Sequence, residues 1–401
     1  MPERKLEKMI RKSLIEMIFE AASIARWNDH IRPAKGFTEL DKQAHKMIYA
    51  YVLGKLEPDT DWLSLVEGGI FEFLHRLILT DIKPPVFHRL MKEKGKELNG
   101  WAIREMLPEI QSIPGGFAER FTRYFTEEDY RSKEKKILEA AHYLATKWEF
   151  GIIYDMCRNY YGIDQTRHEI DSKLEELEHL NSFTLLMQNK NYQGLTDLLG
   201  QLRFQQRWAR SPRIPETSVG GHMLIVAVLS YFCSCEMGAC ERRTVNNFLA
   251  GLFHDVPEVL TRDIVSPVKN SVEGLDELIK NIEDEQMERV LYPLVPEEWK
   301  KEISYYTQDE FATKVLVNGE RVLTSTEQVN ETYNQDSFMA VDGEVIRGCD
   351  HLAACIETYV SHVCGVTTHT LQEANRDLCA KYKNRLIGGI DFGSLFDYFK
   401  I

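Results

Sequence analysis

The sequence predicts an all-α fold, because apolar residues recur at helical spacing along most of the chain and alternating strand patterns are scarce. The first predicted helix carries its apolar face on Leu6, Met9, Ile10, Leu14, Met17 and Ile18. Similar spacing occurs in residues 135–150, 222–236, 245–256 and 350–363. The exception lies between Lys314 and Val322, where Asn318-Gly319 predicts the turn of a small hairpin.

The composition is that of an ordinary soluble protein. Of the 401 residues, 43% are hydrophobic and 28% are charged, and the length allows two or three domains. The formal net charge is -13. Proteins that coat nucleic acid are usually basic, so this charge disfavours general nucleic-acid binding. It still allows a local basic pocket for a small phosphate ester.

The eight cysteines and the apolar runs predict a cytoplasmic protein without a membrane segment. The cysteines form no pair of CxxC motifs, and we interpret them as reduced, partly buried thiols. Cys233, Cys235 and Cys240 could bind a metal, but thiols on an apolar run are more often part of a core. The run from Met223 to Cys235 is too short to span a bilayer.

Several residues and short motifs of the first half recur in the second half, at a nearly constant distance along the chain. The first half has Arg26-Trp27, Arg32-Pro33, His45, His75 and Thr80-Asp81-Ile82, and the second has Arg207-Trp208, Arg213, Pro215, His222, His254 and Asp263-Ile264. The offsets are 181 for the Arg-Trp pairs, 177 for the first histidines and 179 for the second. We therefore predict a divergent internal duplication. The predicted domains are residues 1–165 and 195–401, joined by a charged connector helix at 166–194.

The most informative motif is His254-Asp255, followed by Glu258 and Asp263. On a helix, Glu258 would lie one turn after the pair, so all three side chains could face one cavity. Imidazole and carboxylate groups together form a ligand set for a divalent metal that also holds water and phosphate. The motif therefore predicts a hydrolytic metal centre.

Two further ligands are expected from distant segments. His222 begins a long apolar helical pattern about thirty residues before the His-Asp pair. Asp350 lies at the start of a later apolar helical run, where a buried carboxylate is costly unless it is paired or bound to a metal. The predicted metal ligands are thus His222, His254, Asp255 and Asp350.

This order of ligands resembles the HD-domain metal-dependent phosphohydrolase superfamily, which is named after the adjacent His-Asp pair. The run from His254 to Asp263, with Pro267-Val268-Lys269 after it, is similar to the 5'-deoxynucleotidase branch. That branch also carries an Arg-Trp pair before the first ligand, as Arg207-Trp208 stands here. The resemblance covers about residues 200–365. Together with the internal duplication, it predicts two HD-type helical bundles, of which the second carries the metal.

The ligand set and the resemblance together imply a reaction, the hydrolysis of a phosphate monoester such as a (deoxy)nucleoside 5'-monophosphate. A divalent cation lowers the pKa of bound water towards ~7 and generates hydroxide at neutral pH. The resemblance gives Glu258 the role of proton acceptor, with Asp263 supporting it or protonating the leaving alkoxide. Arg207 would clamp the phosphate, and Trp208 would border the sugar.

The predicted ligands are compatible with several divalent metals. Mixed His and carboxylate ligation suits Mn, Co, Fe, Zn or Ni, and the related branch implies Co or Mn, with Mg also allowed. The long interval between Lys269 and Asp350 predicts an insertion that borders the site. Related proteins are often dimers, so a homodimer is one expected assembly. A duplicated chain could instead supply that interface within itself.

The first half lacks the carboxylates of the predicted site. His75 is followed by Arg76, and His142 takes the position that matches Asp350. We interpret this half as a degenerate copy, although three histidines could in principle bind zinc. It could pack against the second half or bind a regulatory nucleotide at Arg26, Trp27 and Arg32.

Three alternatives stay open from the sequence. The chain could be a nucleotide-binding regulator in which catalysis is secondary. It could also hydrolyse nucleoside triphosphates or alarmones, because the metal ligands alone do not determine how many phosphate groups the substrate carries. The alarmone group usually continues His-Asp-x-x-Glu-Asp, whereas Glu258-Val259 stands here. A purely structural role for the His and Asp residues is disfavoured by four positions in the expected order.

Overall fold

The computed structural model describes residues 10–27, 36–80, 82, 84–262 and 272–401. These residues form helices joined by short loops and only two small hairpins, which confirms the predicted all-α class. The helices of the first part are α1 Lys12–Glu20, α2 Glu39–Leu56, α3 Trp62–Leu79, α4 Pro84–Ile110, α5 Phe117–Thr126, α6 Ser132–Cys157, α7 Ile163–Glu175, α8 Asn181–Gln188 and α9 Lys190–Gly200.

The second part repeats this helical character. Its helices are α10 Val219–Glu236, α11 Glu241–Phe253, α12 Glu258–Thr261, α13 Leu275–Gln286, α14 Glu297–Thr307, α15 Thr326–Gln328, α16 Gly343–Val363, α17 His369–Tyr382 and α18 Phe392–Asp397. The strands are β1 Lys314–Val317, β2 Glu320–Leu323, β3 Leu386–Ile387 and β4 Ile390–Asp391. Short 3-10 or π turns occupy Gln201–Phe204, Met287–Leu291, Tyr292–Leu294, Val329–Tyr333 and Asp336–Phe338.

The predicted hairpin at residues 314–322 is confirmed. Strands β1 and β2 pair antiparallel, with Val317 opposite Glu320. The two turn residues, Asn318 and Gly319, both have positive φ angles of 54° and 83°. A two-residue turn of this kind matches the right-handed twist of the strands, and Asn-Gly adopts it at little cost.

Helices α2 and α10 begin in the same way. Thr38 precedes α2, and its hydroxyl accepts a hydrogen bond from the amide of Asp41. Ser218 precedes α10, and its hydroxyl accepts from the amide of Gly221 at 2.8 Å. Each cap satisfies an amide at the helix N-terminus that has no partner within the helix. The position four residues after the cap is Lys42 in α2 and His222 in α10.

The two parts of the chain pack together through contacts between helices of each part. Helix α2 lies on α6, and α10 lies on α11 and α16. Helix α2 also contacts α10, and α3 contacts α11. Across this junction the Tyr51 and Phe253 rings lie 4.9 Å apart, and Phe117 packs edge-on against Phe232 at 5.6 Å. Most of the buried apolar side chains of the described residues, from both parts, form one continuous core.

The predicted connector helix at 166–194 is not a single helix. It is divided among α7, α8 and α9 by turns near residues 176–180 and at Asn189. The charges lie on the outside, but Leu174, Leu177 and Phe183 are buried in the common core. Helices α8 and α9 pack against α2, because their apolar faces have to be removed from water.

Helix α10 is longer than the apolar run from which its length was predicted. As an 18-residue helix, Val219–Glu236 is long and apolar enough to cross a membrane, whereas its apolar run had been expected to be too short. In the structure, 89% of this window is buried inside the protein, which is the environment of a core helix. The described cysteines are all free thiols, as predicted, and the sulfur atoms of Cys233 and Cys349 lie 3.7 Å apart in the core.

Candidate metal centre

Three helices bring the predicted metal ligands together. His222 is the fourth residue of α10 and is fully buried. His254 directly follows the last residue of α11, and Asp255 is its neighbour. Asp350 is the eighth residue of α16, which packs on α10. The cluster therefore depends on contacts between segments that are separated by up to 128 residues.

The ligand atoms of His222, His254 and Asp350 all lie within 4.8 Å of one another. Nε2 of His222 lies 3.0 Å from Oδ1 of Asp350 and 4.0 Å from Oδ2 of Asp255. Nε2 of His254 lies 3.2 Å from the same Asp255 oxygen. Among the residues that the structure describes, this is the one group of three or more metal-ligating side chains found.

The His254 ring is oriented for ligation through Nε2. Its Nδ1 donates a hydrogen bond to the carbonyl of Gly251 at 2.8 Å. Such a bond fixes the ring and leaves Nε2 as the ligating atom, a common arrangement for metal-binding histidines. Within the described parts of the chain, buried Nε2 of His254 makes no well-aligned hydrogen bond. A cation would give that atom a partner.

The electrostatics of the cluster favour a cation. Burial alone would lower the pKa of His254, but the Asp255 carboxylate outweighs it and raises the pKa to about 9. Burial likewise opposes ionisation of Asp350, yet the hydrogen bond from His222 holds the pKa of that carboxyl well below its usual range. Two ionised carboxylates thus attract positive charge to this place. The donor set and its charge fit a divalent cation.

The segment after His254 does not continue the helix, contrary to the expectation of one helical turn. Successive amides bond to the third residue before them: Val256 to Phe253, Glu258 to Asp255 and Leu260 to Pro257. Pro257 has no amide hydrogen to extend α11, which explains the break. Glu258 still lies one tight turn after Asp255, and its side chain is buried. Asp263 and Pro267-Val268-Lys269 lie outside the described residues.

Arg207 and Trp208 border the cluster on the side of Asp255. A guanidinium nitrogen of Arg207 lies 3.8 Å from Oδ2 of Asp255. Nε of Arg207 lies 3.5 Å from Oε2 of Glu357, and Nε1 of Trp208 donates to the same oxygen at 2.6 Å. Both side chains are partly exposed. One carboxylate therefore orients both of the predicted substrate-binding residues.

Glu357 was missed by sequence reasoning. It is fully buried, and it also accepts a hydrogen bond from the hydroxyl of Thr217 and lies 3.7 Å from Arg213. Burial would raise its pKa, but the charges of Arg213 and Arg207 lower it to about 2. The available signal was its position, seven residues after Asp350 on the same face of α16, in a run where a carboxylate needs a partner.

The first half contains the same contact around a different site. Arg26 Nε and Trp27 Nε1 both lie 2.9 Å from Oε2 of Glu149. Glu149 is seven residues after His142, as Glu357 is after Asp350. Trp27 and Trp208 share a positive φ, 63° and 58°. Arg32 and Asp81, which served as landmarks of this half, lie outside the described residues.

Lys42 stands four residues after the cap of α2, as His222 stands four residues after the cap of α10, whereas His45, which the sequence offset pairs with His222, lies three residues further along α2. Lys42 Nζ lies 2.6 Å from Nδ1 of His142. His45 points elsewhere and bonds through Nε2 to the carbonyl of Thr196 at 2.9 Å.

His75 of the first half also lies apart from the pair formed by Lys42 and His142. His75 stacks on Phe125 and bonds to Asn99 at 3.1 Å. Arg76, which follows His75 in the chain, lies 3.7 Å from Glu39. Arg203 is buried, and it donates to Glu149 at 2.7 Å. It joins the second half to the first.

The insertion between Lys269 and Asp350 contributes Phe311, whose ring lies 6.0 Å from the His254 ring. The two histidines of the cluster are buried, whereas the side chains of Asp255 and Asp350 are 19% exposed. The cluster therefore opens to solvent on its carboxylate side.

Residues 199–378 match the family model described as an HD domain. This match supports the HD-domain resemblance for the segment that holds the cluster. HD domains are mostly metal-dependent hydrolases, and the match supports a metal-dependent phosphohydrolase in general. No curated protein is significantly similar to the chain.

Proposed function

We propose that this protein hydrolyses a phosphate monoester, with a (deoxy)nucleoside 5'-monophosphate as its substrate class. The observation that carries the proposal is the convergence of His222, His254, Asp255 and Asp350 in a segment that matches an HD domain. These four side chains would hold one divalent cation, with Mn, Co, Mg, Zn, Fe and Ni as candidates. When bound, the cation would lower the pKa of a water molecule and neutralise charge on the phosphoryl oxygens.

The other residues have distinct roles in this proposal. Arg207 would hold the phosphate through paired donors, and Trp208 would border the sugar. Glu258 would accept the proton as the water oxygen attacks phosphorus. The bond from phosphorus to the 5' oxygen would break, and Asp263 would protonate the leaving alkoxide. The products are inorganic phosphate and a nucleoside.

The test is phosphate release from nucleoside mono-, di- and triphosphates by chelator-treated protein with Mn, Co or Mg added. We expect monophosphate turnover that Asp255→Ala abolishes, while Asp377→Asn on the exposed face of α17 keeps it. Loss of metal binding in Asp350→Asn, measured by calorimetry, separates ligation from chemistry. Retained turnover in Asp255→Ala would refute the proposed site. If the protein binds metal but releases phosphate from none of these substrates, the proposed substrate class is refuted.

We also infer that the two halves are divergent copies of one helical unit. The repeated helix cap, the positive φ of both tryptophans and the Arg-Trp-Glu contact support this inference. In the first copy Lys42 and His142 would stand where the second copy has His222 and Asp350. An ammonium group at that position would take the place of a metal. The pairing of α2 with α10 would then replace the interface of a homodimer.

A further inference from the structure

Three exposed cations lie beside the candidate metal centre and have no role in the proposed reaction. They are Arg347, Lys381 and Arg385. Arg347 is three residues before Asp350 on α16, so the two side chains are neighbours on one face of the helix. Lys381 is in the last turn of α17, and Arg385 follows that helix.

Contacts between α16 and α17 bring these cations together. The hydroxyl of Tyr382 lies 2.7 Å from Nδ1 of His351 and 3.5 Å from the carbonyl oxygen of Arg347. The end of α17 is therefore held against the turn of α16 that carries Asp350. The guanidinium carbon of Arg385 lies 5.8 Å from the centre of the Tyr382 ring. The backbone of Arg347, the guanidinium of Arg385 and Lys381, the residue before Tyr382, thus meet near one tyrosine.

Arg347 also reaches the mouth of the cluster. Its guanidinium carbon lies 5.1 Å from the centre of the Phe311 ring, which in turn lies 6.0 Å from the His254 ring. Arg207 lies beside Asp255, and Arg347 lies one helical turn before Asp350 on α16. The guanidinium groups of Arg207 and Arg347 therefore both lie near the cluster.

The positive charge of this patch is not neutralised within the described residues. There, no carboxylate lies within ion-pair distance of Arg347, Lys381 or Arg385, although the whole chain carries a net charge of -13. Burial and repulsion from the two arginines lower the pKa of Lys381, while Asp350 opposes that effect. Repulsion of this kind is relieved when an anion binds.

We propose that Arg347, Lys381 and Arg385 bind a second phosphate group of the substrate, next to the phosphate that is cleaved. The proposal rests on the proposed function for the place of the reacting phosphate. The second phosphate can belong to a nucleoside 3',5'-bisphosphate, which would release orthophosphate from its 5' oxygen, or to a 5'-di- or triphosphate, which would release pyrophosphate or triphosphate when the same bond breaks. The scissile phosphate lies on the side of Arg207, and the second group lies on the side of Arg347.

The first experiment compares kcat/KM for a 5'-monophosphate, a 3',5'-bisphosphate, a 5'-diphosphate and a 5'-triphosphate of one nucleoside. Each exposed cation contributes about fivefold at most to the binding of an anion, so three independent cations contribute about a hundredfold. We expect the best substrate to carry a second phosphate. Its preference over the monophosphate should fall about fivefold in Arg347→Gln and further in the triple Gln variant, through KM.

The control is Arg376→Gln, which removes one exposed charge from α17 outside the patch. It should leave the preference unchanged. Thermal melts show whether each variant is folded, and the single variants keep the test decisive if the triple variant is not. An unchanged preference in all three single variants would overturn the proposal. So would an equal loss in Arg376→Gln, because the effect would then come from net charge.

A binding measurement separates this proposal from the proposed function. Inorganic triphosphate and orthophosphate are titrated into the chelator-treated full chain by calorimetry. We expect triphosphate to bind more tightly, and the triple variant to lose that difference. If the difference is present but no ester is hydrolysed, the second phosphate site stands and the proposed reaction fails. If monophosphates are hydrolysed but triphosphate gains nothing, the reaction stands and the second site is refuted.

Discussion

Replacing Glu357 by Gln should destabilise the protein without any change in side-chain size. Glu357 is fully buried and accepts hydrogen bonds from Trp208 and Thr217 while it faces Arg207 and Arg213. A glutamine removes the charge that both guanidinium groups face. It also places an amide NH2 where hydrogen-bond donors already converge. The perturbation therefore leaves the buried guanidinium of Arg213 without the carboxylate that it faces.

Two estimates of the cost agree. A carboxyl whose pKa falls from 4.5 in the unfolded chain to about 2 in the folded protein stabilises the folded state by about 3 kcal/mol at neutral pH. Removing one partner of a buried ion pair costs about 3–5 kcal/mol in general. We therefore expect Glu357→Gln to lower the free energy of unfolding by about 3 kcal/mol.

Urea unfolding of chelator-treated protein at pH 7 measures this loss without a contribution from metal. Glu127→Gln is the control, since Glu127 pairs with Arg123 on the surface of α5 and such pairs contribute about 0.3–0.5 kcal/mol. A loss below about 1 kcal/mol in Glu357→Gln, or an equal loss in Glu127→Gln, would refute the argument from burial. Metal-loaded Glu357→Gln should also bind phosphate more weakly, because Arg207 and Trp208 lose the group that orients them.

Three further predictions concern stability and assembly. The pKa of Glu39 and of Glu357 is about 2 in the folded protein, so both carboxyls add stability above pH 4.5 and lose it as the pH falls towards 2. Urea midpoints measured between pH 6 and pH 3 should fall, and less steeply in Glu357→Gln; a flat profile would contradict the ion pairs. Gly251→Ala should lower the free energy of unfolding by about 1–3 kcal/mol, because the new Cβ would meet the Ala227 backbone of α10 at 2.9 Å and push α11 away. The same displacement should weaken Mn²⁺ binding, measured by calorimetry. Gly151→Ala in α6 meets nothing within 4 Å and should instead stabilise by about 0.5–1 kcal/mol, so equal losses in the two variants would refute the packing argument. Sedimentation should find a monomer if the halves replace a dimer interface, and a compact dimer would contradict that idea.

Much of the fold could be predicted because helices and tight turns are local. Apolar spacing predicted the helices, and Asn318-Gly319 predicted the hairpin turn from the conformations that these two residues tolerate. The limits of helices were harder to predict. Pro257 ends the α-helix before Glu258, and turns near residues 176–180 and at Asn189 divide a stretch that looked like one charged helix.

The sequence by itself determined the residue types of the candidate site, since His222, His254-Asp255 and Asp350 stand in an order that could be read directly. Only the tertiary structure decided which of them meet, because their convergence depends on the packing of α10, α11 and α16. The same packing determined the partners of Glu357 and the place of Lys42. A buried charge acts through neighbours that are distant in the chain, and helical periodicity carries no information about them.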